Sequence, residues 1–192
     1  MKKLFVVFLM IFLSVFDACI YAKNIKTDIA QNVIRLHVVA NDDTLEGQKI
    51  KLKVRDEVLK YMNKFSCDNF EDAYRSLENS KEELENIARK VLKENGFEYD
   101  VFIELGEFDF PTKNYGKLSF PAGKYYAVRI CLGESSGQNW WCVMYPALCF
   151  TEEVCADEAA YNQLKSTLNE ESFSVITGKV QFKFKILELF GK

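Results

Sequence analysis

Apolar residues recur along this chain at two distinct periods. Ile50, Val54, Val58, Met62 and Phe65 fall three or four apart, with Leu52 and Leu59 widening the stripe, so residues 45–65 are predicted to form an amphipathic helix. Phe70, Ala73, Leu77, Leu84, Ile87 and Val91 mark a second helix, with a kink suggested near Asn79-Ser80 and a glycine stop at Asn95-Gly96. Cys67-Asp68-Asn69 breaks the chain between them, and Asp68 or Asn69 suits the cap of the second helix. Ahead of both, Val33 to Ala40 is a β-branched run read as a strand, with Ile34, Leu36 and Val38 on one face. Asn41-Asp42-Asp43-Thr44 ends it, and Asp43 with Glu46 resembles a capping box.

The second half switches to period two. Val101, Ile103 and Leu105 alternate with Phe102 and Glu104, and Tyr126, Val128, Ile130 and Leu132 alternate with Tyr125, Ala127, Arg129 and Cys131. Trp140 to Tyr145 reads as a further strand, entered through the turn Gly133 to Gly137, and Val180, Phe182, Phe184 and Ile186 as a last one. A loop is expected from Phe110-Pro111 to Gly123, and a short helix near 157–168 within an acidic stretch. This order predicts an α+β fold, with two N-terminal helices packed on one face of a mostly antiparallel β-sheet.

The extreme N-terminus follows neither period. Lys2 and Lys3 precede an unbroken apolar run from Leu4 to Phe16, which Asp17 ends. As a helix that run rises about 20 Å, short of the roughly 30 Å hydrocarbon core. Ile20-Tyr21-Ala22 then offers a small residue at a cleavage point. Residues 1–22 read as a signal peptide and 23–192 as a single exported domain, with an uncleaved anchor as the alternative. A lipid-bearing Cys19 fits poorly, because Phe16-Asp17-Ala18 is neither small nor aliphatic.

Charge then narrows the partners. Without Lys2, Lys3 and Asp17 the 25 basic and 28 acidic side chains become 23 and 27, a net charge of −4. Such a balance offers no general attraction to nucleic acid or to an anionic membrane.

Several residues could carry chemistry. Gly133-Glu-Ser135-Ser-Gly137 matches the pattern of a nucleophile elbow, but strands are expected on both sides where an elbow needs a helix after it. His37 stands on a strand, about a hundred residues upstream of Ser135. No C-x-x-C pair accompanies it, so it reads as a structural or interface residue, and no metal site is expected. Asp42 and Asp43 are explained by cap duty. Residues 45–65 carry six basic and three acidic side chains, read as a solvated helix face. Arg55-Asp56 differs, because neighbouring charges point about 100° apart and one of them is expected to meet the sheet edge. Cys142 and Cys149 flank Pro146, and a turn there would let them form a disulfide, with two buried thiols as the other reading. Mature Cys67, Cys131 and Cys155 make the total odd. Trp140 and Trp141 are large aromatics that must be packed or held for a partner.

Two blocks carry a resemblance to a known family. Ile34 to Asp43 followed by Leu52-Lys-Val-Arg-Asp56, and Asn139-Trp-Trp-Cys-Val-Met-Tyr-Pro-Ala-Leu-Cys-Phe150, resemble the stage II sporulation protein R signalling proteins of endospore-forming bacteria. The closing Phe182 to Glu188 and the signal peptide fit as well. Asp42 stands where a Ser is common in that family, and Ala147 where a second Pro is usual. The resemblance implies a protein secreted from the forespore into the space between forespore and mother cell. There it would activate a membrane-embedded aspartic protease on the mother-cell side, which processes a mother-cell sigma factor precursor. It implies a ligand and no enzyme, with no catalytic residue, no cofactor, no metal, no nucleic acid, no small-molecule substrate, and a position close to membrane. The residues expected to bind the partner are Trp140, Trp141 and Tyr145, with Pro146 and the pair Cys142 and Cys149 holding their shape. Arg35, His37, Asn41, Arg55 and Asp56 form a second patch. The alternative is an exported envelope-acting enzyme, thiol-based or hydrolytic, working through Cys142, Ser135 or His37.

Overall fold

A computed structural model describes residues 2–65, 67–146, 149 and 158–179. Its frame is a four-stranded sheet in the order β2-β5-β1-β6, formed by β1 (Ile34–Val39), β2 (Val101–Phe110), β5 (Gly123–Leu132) and β6 (Asn139–Tyr145). β1 runs parallel to β5, and the β1–β6 and β2–β5 pairs are antiparallel. The sheet is therefore mostly antiparallel, and β6 is an edge strand. The expected loop after Phe110 contains a small hairpin, β3 (Lys113–Tyr115) with β4 (Leu118–Phe120).

Helices α2 (Leu45–Met62) and α3 (Phe70–Glu94) cover one face of the sheet, as their apolar stripes require. Ile50, Val54, Val58, Leu77, Leu84 and Leu92 pack there against Leu36, Val38, Val128, Ile130 and Ile103. α3 runs without interruption through Asn79 and Ser80, and Ser80 is buried. Asn69 caps it by accepting from the Asp72 amide. The cap of α2 is Thr44, whose hydroxyl accepts from the Gly47 amide, and not Asp43. Asp43 lies one residue too early and instead accepts from the Gln138 amide across the fold.

The opposite face carries a second layer, of which the residue pattern announced only the short helix near 157–168. α1 (Lys2–Asn32) buries Ile25 and Ile29, and α4 (Glu158–Thr167) and α5 (Glu170–Ile176) add Ala160, Leu164 and Ile176. Because both faces are covered, every residue of β1 is buried. The first part of α1 stands clear of the domain: it is long and apolar enough to cross a membrane, and none of that window is buried. That fits a signal sequence by length and composition. The last strand expected at 180–186, and Cys155, lie outside the described residues.

Candidate functional site

The tryptophans occupy neighbouring positions on the edge strand β6, and strand geometry sends them to opposite faces. Trp140 stands across from Val38 and Trp141 across from His37. Both are half-buried. Among the described residues no strand pairs with the outer side of β6.

On the α2 face, the Arg55 guanidinium lies 4.6 Å from the Trp140 ring centroid. Asp56 holds it there, with the Arg55 Nη2 2.6 Å from its carboxylate. The Arg55 side chain is 15% exposed and that of Asp56 58%, so the acid faces water and the guanidinium is sandwiched between it and the indole. Such a stacked cation contributes about 0.5–2 kcal/mol. Lys51 sits nearby and is only 4% exposed, whereas the helix pattern placed it on a solvated face. Its Nζ donates to Gln48 Oε1 and to the carbonyl of Gln138 at 3.0 Å. Burial lowers its pKa, Asp43 opposes that shift and Arg55 adds to it.

On the other face, His37 and Trp141 stack with centroids 3.7 Å apart, and Phe110 meets the indole edge-on at 4.7 Å. His37 Nε2 lies 2.7 Å from Asn139 Oδ1, so Nε2 carries the proton and donates it; Nδ1 has no partner among the described residues. Burial pushes the His37 pKa down to about 4, with the Asn139 bond opposing and Arg129 assisting. The imidazole is neutral at pH 7.

Other residues expected at the surface serve the interior. Arg35 is fully buried. Its guanidinium lies 4.4 Å from the Phe110 centroid and 5.0 Å from that of Tyr125, with Phe120 and Tyr115 closing the cage. It donates to the Cys142 carbonyl and, at 2.9 Å, to the Tyr115 hydroxyl. Tyr145 is 5% exposed and joins the α2–α3 core. The cause is a register shift between Ile34 and Arg35, which pair with Tyr145 and Val143. The extra residue turns Tyr145 away from the face of Trp141 and Val143. Pro146 is buried in the following turn, and Cys142 and Cys149 are joined in a disulfide with Cα atoms 5.4 Å apart.

Asn41 works as a clasp. Its Oδ1 accepts from the Glu134 amide, its carbonyl accepts from the Ser136 amide and hydroxyl, and the Ala40 carbonyl accepts from Gly137. The glycines of the turn follow from that closeness. A Cβ on Gly137 would meet the Asp42 carbonyl oxygen at 2.2 Å, and one on Gly133, at φ +54°, would meet Asn41 Oδ1 at 2.1 Å. Asp42 accepts from the Thr44 hydroxyl and amide and from Asn41, which holds its carboxyl below the usual range. The Ser135 hydroxyl makes no hydrogen bond among the described residues, and His37 is engaged by Asn139, so no nucleophile–base contact joins the two.

The structure thus groups Trp140 with Arg55 and Asp56, and Trp141 with His37, on the two sides of one edge strand. Arg35, Asn41, Tyr145 and Pro146 support that strand from behind. Lys51 beneath the Arg55 side, and Phe110 and Asn139 beside His37 and Trp141, buttress these groups and were not singled out from the sequence. Lys51 could have been, because it borders the apolar stripe beside Ile50.

The stage II sporulation protein R family model matches residues 30–155, which include every residue of the two patches. The chain is 32% identical over 163 residues to the stage II sporulation protein R of Bacillus subtilis (strain 168), covering 79% of this chain and 73% of that relative. No solved structure matches.

Proposed function

Because the chain belongs to the stage II sporulation protein R family, with a role in sporulation, we propose that it is an exported signal that switches on a partner protease by docking. The partner is a membrane-embedded aspartic protease of the mother cell, and the consequence is processing of a sigma factor precursor. The chain acts from the space between forespore and mother cell, and it makes and breaks no bond itself. The observation that carries this reading is the edge strand β6 with an indole half-exposed on each side. One indole is stacked by Arg55 and the other by neutral His37. Aromatic and arginine anchors of this kind dominate binding energy at protein interfaces. Rigid flanking groups limit the entropy lost on docking.

The requirement is modest. A ligand that prefers the active receptor state by about 3–4 kcal/mol shifts its odds several hundred-fold. Two indoles and a guanidinium can supply that. The test places the protein, the protease and the precursor together in a host that does not sporulate, with and without residues 1–22. Precursor cleavage that depends on those residues is the expected result. Cleavage indifferent to the presence of this protein would remove the reading.

A further inference from the structure

A cleft of about 480 Å³ lies between α1 and the start of β5, at the end of the domain where the apolar part of α1 leaves it. Three lysines line it, Lys23 and Lys26 from the helix and Lys124 from the strand. None of the ten lining residues is acidic. All three lysines are exposed, and none makes a hydrogen bond or ion pair among the described residues.

Helix geometry explains the excess of positive charge. At about 100° per residue, the lining residues of α1 centre on one direction, and Asp17 and Asp28 point roughly 150–170° away from it. Asp28 is occupied on that far side by the Asn32 side chain and the Asn169 amide. Asp109 stands across from Lys124 in the sheet but forms no ion pair with it and does not line the cleft.

From Lys3 to Lys23 the helix rises about 30 Å, the thickness of a hydrocarbon core. An α1 that crosses a bilayer therefore brings the cleft to the headgroup layer. Cleavage after Ala22 would remove Cys19 and Ala22 from the lining but keep all three lysines and add an α-ammonium beside them.

We propose that this cleft binds the phosphate of an anionic phospholipid headgroup and so holds the domain in a fixed orientation on the membrane. The inference is independent of protease activation, and its test contains no receptor. Full-length protein in non-ionic detergent is titrated calorimetrically with dihexanoyl phosphatidylglycerol, dihexanoyl phosphatidylcholine and inorganic phosphate. Phosphatidylglycerol is expected to bind at least tenfold more tightly than phosphatidylcholine. Each lysine is worth about fivefold, so Lys124→Gln alone should weaken binding about fivefold, and Lys23→Gln/Lys26→Gln/Lys124→Gln about a hundredfold. The exposed pair Lys60→Gln/Lys64→Gln should have no effect, and circular dichroism should show every variant folded. Equal binding of the two lipids, or no loss in the lysine variants, overturns the proposal. Inorganic phosphate binding as tightly as phosphatidylglycerol overturns the lipid assignment and leaves a free-anion site.

Discussion

His37 and its neighbours make the most direct residue-level predictions. Well above pH 6.5 its imidazole is neutral in both folded and unfolded chains, so its contribution to stability is complete. As pH falls from 6.5 toward 4, the unfolded chain takes up a proton that the buried ring refuses. Stability then falls by about 1.4 kcal/mol per pH unit, roughly 3 kcal/mol across the window. Urea midpoints at pH 7 and 4.5 should therefore diverge more for wild type than for His37→Gln. Arg35 offers a contrast, because its charge sits among four rings with no carboxylate partner among the described residues. Arg35→Ala should cost about 3–5 kcal/mol by leaving a cavity among the rings and by removing the donors to the Cys142 carbonyl and the Tyr115 hydroxyl. Arg35→Met, which refills the space without a charge, should recover more than half of that loss in the same denaturation assay.

Among the elements, the clasp at Asn41 and the disulfide set the shape of the edge strand. Asn41→Ala should lower stability by about 1–2 kcal/mol, and Gly137→Ala by more, since the added methyl collides with backbone. Thermal melts of both variants check the order. Closing the short loop between Cys142 and Cys149 is worth roughly 2–3 kcal/mol on the chain-entropy estimate. Melts of the Cys142→Ser/Cys149→Ser double variant, beside wild type with and without reductant, should show a matching loss.

The strands and the two long helices were legible because each repeats its period for several turns or residues. Apart from the short helix near 157–168, the layer on the second face was not. Only Ile25 and Ile29 of α1 enter the core, too few to mark a stripe, and they follow a stretch whose hydrophobicity already read as a signal. α5 has seven residues and the β3–β4 strands three each, too short for periodicity to show. At the site the tryptophan pair and the Arg55–Asp56 step were visible from side-chain chemistry alone. Tyr145 lies in the core and not beside Trp141 because a single bulge reverses alternation, and no residue type announces it. Arg35 misled for a related reason: a charged residue on a strand looks exposed until the opposite layer is known.

For the whole molecule, the parts are consistent with a rigid presenter. Helices brace both faces of the sheet, a clasp and a disulfide fix the two ends of β6, and the indoles stand at its open side. Replacing either indole should remove function far more than stability, because each is only half-buried. The most direct measurement is precursor cleavage in the non-sporulating host carrying the protease, with wild type, Trp140→Ala and Trp141→Ala compared beside their melting temperatures. The account predicts cleavage with wild type and its loss in both variants, with melts within a few degrees of wild type. Full cleavage with the tryptophan variants, or purified protein that cuts the precursor unaided, would contradict it.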